Sequence, residues 1–438
     1  MMKNLKFEYK TIVCLFIIVI IACNFYFTVY SQFIGNKFEP NYFTFPAPVL
    51  GTDFDNSYKT ALNLLAGHNI YEDNSRYGEK YALISRNTHG FVFPYGPLLA
   101  YLYIPFTFLA ENMAYQIWVI LIILFMLVSM ALLSCFFKDK FLYWTITAVV
   151  IFFSYPLRFI IERGYNDILV MLLVCVAIYF WLIKRNDFLV GLFISVAILI
   201  KLYPLVFFIY FVLKREYRIT GWIIFLCFIL GIVSYHSIPL KEHILSLQRF
   251  TQTCHIANPD WLNHSLRSFT GLVFGWLARR IQCLSFLSHI WQQTALILSV
   301  LLYLPVIVLI WLNNSRSARH ILKEVSLMFI LASLSNFTSY DYRLVYANIF
   351  IFAILYDFQN LEVPISFSFS KSLFLFIFFI ASVLIFLPPI GKLIPFFIAN
   401  KALPLLLFYF LLLKGLMEDR VNWGRNMPEL FFKGKNGK

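Results

Sequence analysis

The chain has 438 residues, of which 61% are hydrophobic and only 13% are charged, about half the charged share of an average soluble domain. This composition excludes a water-soluble protein, because a soluble chain of this length needs a polar surface to cover its core. The formal net charge of +14 does not indicate a nucleic-acid partner, since the basic residues stand in short clusters between apolar runs. We therefore expect an integral membrane protein surrounded by membrane lipids.

The apolar runs, taken in chain order, predict an all-α polytopic transmembrane protein with about twelve spans. A run of about 20 apolar residues crosses a bilayer, and residues 11–30 form the first such anchor. The remaining runs are 94–111, 114–137, 141–157, 166–183, 188–213, 219–236, 291–312, 321–336, 343–357, 371–388 and 393–413. Around them we expect a first external loop at 31–93 with helices on the membrane surface, a bundle at 94–236, a second external segment at 237–290, C-terminal spans at 291–414 and a basic cytoplasmic tail at 415–438.

The basic clusters predict which ends of the spans face the cytoplasm, with one conflict. Lys214 and Arg215 fall on the cytoplasmic side of the twelve-span count, as the positive-inside rule requires. Lys184 and Arg185 fall outside instead. Splitting the run 188–213 at Lys201–Pro204 removes the conflict, but the number of spans then becomes odd unless another run is demoted.

The first external loop contains two carboxylates that are candidates for chemistry, Asp53 and Asp55. The stretch 58–71 after them predicts a short surface helix that ends at Gly67. An aspartate near its usual pKa of about 4 is ionised at neutral pH, and it accepts a proton from a hydroxyl within hydrogen-bond reach. Two solvated loop carboxylates are the alternative interpretation. In an extended chain the two side chains point the same way, whereas in a helix they diverge by about 200°.

Lys201 lies within an apolar run, where an uncompensated lysine costs about 2.5–3.5 kcal/mol. It either snorkels to an interface or meets an anion inside a cavity, for which a lipid phosphate would serve. A second polar group comprises Arg158, Glu162, Arg163, Asn166 and Asp167, and an internal set of ion pairs explains it equally well. In the twelve-span count, five further polar residues face the same side as Asp53, namely Asn263, His264, Arg267, Asp341 and Arg343.

These elements, in this order, resemble glycosyltransferase family 87, a family of GT-C-type polytopic membrane enzymes. The first external loop matches the family at Asp53, Phe54, Tyr58, Ala61, Leu64, Leu65, Gly67 and Tyr71. The later matches are Pro94, Pro97, Pro105, Arg163, Gly164, Asn166, Gly191, Lys201, Leu202, Tyr203, Pro204, the basic turn at 214–218, Asn263, Ser265, Leu266, Asp341 and Tyr342. One position departs from the pattern, because Tyr165 stands where the family usually has glutamine.

The resemblance implies inverting transfer of a sugar, commonly mannose, from a polyprenyl-phosphate donor to a glycan or glycolipid acceptor on the non-cytoplasmic face. It implies a bacterial inner membrane protein without a cofactor or metal, in which Asp53 is the general base. The expected substrate-binding residues are Asp55, Tyr58, Tyr95, Arg163, Asn166, Lys201, Asn263, His264, Asp341 and Arg343. Two other classes stay open: a transporter or flippase, and a lipid-linked oligosaccharide polymerase or ligase.

Overall fold

The computed structural model describes residues 51–72, 74–83, 93, 95–153, 155–236, 238–256, 264–313, 315–335, 341–347 and 401–433, with scattered positions between 349 and 385. The predicted first span, 11–30, lies outside the described residues. Every regular element in the described part of the chain is helical. The α-helices are α1 (Thr52–Leu65), α2 (Pro97–Tyr103), α3 (Glu111–Ser134), α4 (Lys140–Phe153), α5 (Tyr155–Arg163), α6 (Asp167–Tyr179), α7 (Asp187–Ile200), α8 (Leu205–Leu213), α9 (Tyr217–Ser234), α10 (Leu240–Ile256), α11 (Leu266–Arg280), α12 (Leu287–Leu312), α13 (Ala318–Ser335) and α14 (Ala402–Lys433).

Four of these helices are long and apolar enough to cross a membrane, which identifies a membrane protein. They are α3, α6 with its continuation to Lys184, α9 and α12. The twelve-span count itself stays a prediction. The segment Asp341–Tyr346 forms a 3-10 helix that packs on α5 and α6.

The run 188–213 is two helices, because α7 ends at Ile200 and α8 begins at Leu205. Pro204 stands immediately before α8, and a proline there lacks the N–H that would continue the preceding helix. Lys201 follows α7 and contacts Asp167, the first residue of α6. The helices α6 and α7 therefore form a hairpin, and its tip carries Lys184 and Arg185 about 27 Å away, one helix length from Asp167.

We call the end of the helices where Asp53, Asp167 and Lys201 meet the site end, and the opposite end the far end. The tip of the α6–α7 hairpin lies at the far end. The end of α8 lies there as well, because Phe211 packs on Trp181, close to the hairpin tip, with the ring centroids 5.1 Å apart. Lys214 Nζ at this end donates hydrogen bonds to the carbonyl oxygens of Asn313 and Ser315, beyond the C-terminus of α12. The structure thus has the alternative in which the run is split at Lys201–Pro204, and this split places Lys184 and Arg185 at the same end as Lys214 and Arg215.

The run 94–111 does not cross from one end to the other. Its first part places Tyr95 against Lys201, with the ammonium 5.0 Å from the ring centroid. At its other end the carbonyl oxygen of Leu109 accepts a hydrogen bond from Tyr58 of α1 at 2.9 Å. Both ends of α2 and its 3-10 continuation, Ile104–Phe108, therefore lie at the site end.

The helix of the first external loop begins at Thr52, six residues earlier than the pattern predicted, and it is not a surface helix. Its side chains at 54–58, 60, 61 and 63 are buried. It ends as predicted near Gly67, whose φ of 73° is the left-handed conformation that glycine adopts at a helix C-terminus. Asp53 and Asp55 lie in the first turn, where the helix dipole favours carboxylates.

Candidate active site

The outer part of the site is an ion pair between Asp53 and Arg163. Arg163 Nε donates a hydrogen bond to Asp53 Oδ2, and the two side chains are 17% and 18% exposed, respectively, for Arg163 and Asp53. Among the described residues, Asp53 Oδ1 accepts no hydrogen bond, so this oxygen is available to a hydroxyl from a substrate. The guanidinium also lies over the ring of Phe159, at 5.6 Å.

Gly164 makes this ion pair possible by letting α1 and α5 approach closely. It follows Arg163 with a φ of 66°, a conformation that favours glycine. A Cβ atom at Gly164 would lie 2.5 Å from Cβ of Phe54, the neighbour of Asp53. Trp118 Nε1 donates to the Gly164 carbonyl oxygen at 3.0 Å, which fixes the turn against α3.

Asp55 points away from Asp53, as the helical alternative requires. Its Oδ2 accepts a hydrogen bond from Lys59 at 3.0 Å, one turn along α1. Asp55 is buried, and its Oδ1 has no hydrogen-bond partner in the described residues. Burial, which Lys59 offsets only in part, raises the pKa of Asp55 to about 7, and the Glu111 carboxyl contributes in the same direction. Asp55 is therefore an internal carboxylate and not a second group beside Asp53.

The inner part of the site is a second ion pair, between Lys201 and Asp167. Nζ of Lys201 lies 2.5 Å from Oδ2 of Asp167, and the two side chains are only 5% and 0% exposed. Tyr203 donates to the other oxygen, Oδ1, at 2.7 Å, and Tyr346 donates to it at 3.2 Å. Lys201 thus has an internal anion and does not snorkel to an interface.

Two tyrosines flank the Lys201 ammonium. The ring centroids of Tyr165 and Tyr95 lie 3.8 and 5.0 Å from Nζ, within the range of cation–π attraction. The two hydroxyl groups are hydrogen-bonded to each other at 2.9 Å. Tyr165, which replaces the family's usual glutamine, is therefore part of the wall that encloses Lys201.

Asn166 connects α6 to α1 and α2. Its Oδ1 accepts a hydrogen bond from the buried Tyr103 hydroxyl at 2.5 Å, and its Nδ2 donates to Ser57 Oγ at 3.4 Å. Tyr58, another predicted site residue, donates instead to the Leu109 carbonyl oxygen. Both residues hold the site elements together, and Asn166 is completely buried.

Arg343 reaches the inner part of the site from the 3-10 helix Asp341–Tyr346. Its guanidinium lies 5.1 Å from the ring centroid of Tyr203. Arg343 and Asp53 both lie near enough to Lys201 to interact with it electrostatically, the arginine by repulsion and the aspartate by attraction. The structure therefore brings together Asp53, Arg163, Lys201 and Arg343.

The other predicted residues are placed less closely. His264 is completely buried and its Nδ1 accepts a hydrogen bond from the backbone N–H of Lys401 at 3.1 Å. The backbone of Asp341 begins the 3-10 helix, but its side chain lies outside the described part of the chain, and so does Asn263. The described residues contain no group of three or more histidine, cysteine, aspartate or glutamate side chains arranged to hold a metal ion.

Sequence reasoning missed three residues of the site, Asp167, Tyr203 and Tyr346. Asp167 appeared only as one member of a polar group, although a carboxylate that begins an apolar helix is a usable signal. Tyr203 stood beside Lys201 in a matched motif. Tyr346 lies 179 positions from Asp167 along the chain, and no pattern in the sequence joins them.

The fold and the site define a polytopic membrane protein with a charged, partly exposed site at one end of its helices. Comparison with known families identifies the class of enzyme: the model of glycosyltransferase family 87 matches residues 93–335, more than half of the chain. The chain belongs to glycosyltransferase family 87. It is therefore a membrane glycosyltransferase, which takes a sugar donor and a glycan acceptor, and not a transporter or flippase. No curated protein and no solved structure matches the chain.

Proposed function

We propose that this enzyme transfers mannose, or a related hexose or pentose, from a polyprenyl-phosphate donor to a lipid-linked or cell-envelope glycan acceptor, with inversion at the sugar. The observation that supports this most directly is the partly exposed Asp53–Arg163 ion pair beside two further cations, Lys201 and Arg343. A carboxylate that accepts a proton and cations that bind a phosphate are the two groups the reaction needs.

In this mechanism Asp53 takes the proton of the acceptor hydroxyl through Oδ1, while Arg163 holds Oδ2. The acceptor oxygen forms a bond to the anomeric carbon of the sugar from the face opposite the phosphate. The bond from that carbon to the phosphate oxygen breaks, and its electron pair stays with the lipid phosphate. The phosphate gains negative charge in this step, and a nearby arginine such as Arg343 stabilises that charge.

We further propose that the site faces the non-cytoplasmic side of a bacterial inner membrane. The α6–α7 tip and the end of α8 carry basic residues at the far end, and the positive-inside rule assigns such an end to the cytoplasm. A water-soluble thiol reagent applied to intact cells tests this. Cys283 is free and exposed just before α12, and it should be labelled in a variant in which every other cysteine has been replaced. Lys184→Cys, in a variant in which all seven native cysteines have been replaced, should not be labelled. The reverse pattern would place the site in the cytoplasm.

The catalytic assignment is tested by Asp53→Asn, which keeps the shape of the side chain and removes the proton acceptor. We expect sugar transfer from a purified polyprenyl-phosphate donor to fall about 10²–10⁴-fold. Asp55→Asn is the matched control, because the same change two positions away removes a buried carboxylate that faces Lys59. It should retain the transfer rate to within a few-fold of the wild-type rate. Normal turnover in Asp53→Asn would refute the mechanism, and a collapse only in Asp55→Asn would move the base to that residue.

A further inference from the structure

Asp167 joins three separate parts of the chain. It begins α6, and its carboxylate receives the ammonium of Lys201 from the break between α7 and α8. Tyr203 comes from the same break, two residues on, and Tyr346 comes from the 3-10 helix that follows α13. The Tyr346 hydroxyl also lies 3.0 Å from the backbone carbonyl oxygen of Asp167, so its single proton is shared between the side chain and the backbone of Asp167.

The carboxylate itself cannot touch a substrate, because its side chain is completely buried. Any effect of Asp167 on the reaction must therefore pass through the residues that it holds. Lys201 is 5% exposed and enclosed by tyrosine rings. Tyr203 is only partly buried, and its ring supports the guanidinium of Arg343.

Tyr203 has contacts at its hydroxyl group and at its ring. Its hydroxyl donates to Asp167 Oδ1 and contacts the hydroxyl of Tyr346, so the ring has a fixed direction. Arg343 lies over that ring, at a centroid distance within the cation–π range. Arg343 and Lys201 also repel each other, and an anion placed between two such cations removes that repulsion.

We propose that Tyr203 is a positioning residue for Arg343, which binds the donor phosphate, and that Asp167 fixes Tyr203 in turn. This inference rests on the proposed lipid-phosphate donor. It adds two residues that do not contact the substrate and gives each a defined task. The ring of Tyr203 holds the Arg343 guanidinium in place through the cation–π contact, and the Asp167 carboxylate fixes the orientation of the ring through its hydrogen bond to the Tyr203 hydroxyl.

The test is a double-mutant cycle on the binding of polyprenyl phosphate without a sugar, measured by tryptophan fluorescence in detergent. Tyr203→Leu removes the ring, and we expect the dissociation constant to rise about 2- to 30-fold, the range of a cation–π contact. Arg343→Gln should raise it further. Tyr203→Leu/Arg343→Gln should bind no more weakly than Arg343→Gln alone, because the ring acts only through the arginine. Additive effects, or unchanged binding in Tyr203→Leu, would overturn the proposal.

Two variants separate positioning from loss of structure. Tyr203→Phe keeps the ring and removes the hydrogen bond to Asp167, so it should show a smaller rise in the dissociation constant than Tyr203→Leu. Tyr409→Phe is the matched control, since it also removes one hydroxyl, which donates to the Leu302 carbonyl oxygen at 2.7 Å. It should bind polyprenyl phosphate as the wild type does. If Tyr409→Phe weakens binding as much as Tyr203→Phe, the effect is structural and the proposal fails.

The measurement also separates this inference from the proposed function. Binding of polyprenyl phosphate does not require turnover, so the cycle stands even if the Asp53 mechanism is wrong. Inorganic phosphate serves as the second probe. Weaker binding of both probes in Arg343→Gln supports recognition of the phosphate group. An effect on neither probe refutes Arg343 as a phosphate ligand, while the Asp53 test remains valid.

Discussion

The buried ion pair predicts that Lys201→Met destabilises the protein. Asp167 is completely buried, and Lys201 Nζ lies 2.5 Å from its Oδ2. Removing one partner of a buried pair leaves an uncompensated charge, which costs about 3–5 kcal/mol. The hydroxyls of Tyr203 and Tyr346 still donate to Oδ1 of Asp167, so we expect a value near the lower end of this range.

The expected change in melting temperature follows from the size of the chain. With about 2.1 cal/mol/K of unfolding entropy per residue, the 438 residues give about 0.9 kcal/mol/K, so the loss corresponds to about 3–5 °C. Tryptophan fluorescence of the purified protein in detergent measures it. Lys201→Met/Asp167→Asn should recover most of the loss, because the variant no longer buries an unpaired charge.

Lys414→Met is the matched control for this experiment. Lys414 pairs with Glu418 at 3.7 Å, but the two side chains are 53% and 64% exposed. An exposed pair contributes less than about 1 kcal/mol, so this variant should melt within about 1 °C of the wild type. Equal melting temperatures for Lys201→Met and Lys414→Met would refute the reasoning, and so would a double variant as unstable as Lys201→Met.

Three further predictions concern Gly164, Asp55 and His243. Gly164→Ala should lower both the melting temperature and the transfer rate, because the added Cβ would lie 2.5 Å from Phe54. Gly67→Ala is the control: Gly67 has a similar φ but nothing within 4 Å, so this variant should lower only the melting temperature. Equal transfer rates in Gly164→Ala and Gly67→Ala would contradict the prediction. Asp55→Asn should gain melting temperature relative to the wild type as the pH rises from about 4 to about 7. Burial raises the pKa of Asp55 from 3.8 to about 7, so over that range the unfolded chain has lost the Asp55 proton while the folded protein still holds it, and the wild type loses stability. A pH-independent difference would contradict the argument. Burial lowers the pKa of His243 to about 4, so its contribution to stability is present above pH 6.5 and is lost as the pH falls towards 4. The melting temperature of His243→Gln should therefore depend less steeply on pH between 4 and 6.5 than that of the wild type. An equally steep dependence in the two proteins would count against the argument.

Much of the helical architecture follows from the length and order of the apolar runs, whereas the ends of the helices depend on the polar residues that interrupt those runs. The spans near 114–137, 166–183 and 219–236 are present within a few residues, as α3, α6 and α9. The start of α1 was misplaced because Asp53 and Asp55 were treated as loop carboxylates, although two acidic residues in a first turn are themselves a helix-start signal.

The pairing of charges could not be predicted from the sequence. Arg163 and Asp53 are 110 positions apart, and Lys201 and Asp167 are 34 apart. The polar group at 158–167 offers several cations and carboxylates, and nothing in its spacing selects one partner over another. The pairs form because α1 packs against the end of α5 and because α6 and α7 form a hairpin. Both are features of the tertiary structure. Sequence reasoning therefore found Arg163 and Lys201 but assigned Lys201 an external phosphate where the fold supplies Asp167.

The depth of the two ion pairs assigns them different tasks. The outer pair, Asp53–Arg163, is partly exposed, so water and a substrate hydroxyl can reach the carboxylate. Asp53→Asn therefore removes a proton acceptor without leaving a buried, unpaired charge. The inner pair, Lys201–Asp167, is almost completely buried, so breaking it leaves an unpaired ion in an apolar surrounding. A variant of the outer pair should therefore change the rate more than the stability, and a variant of the inner pair should change the stability first.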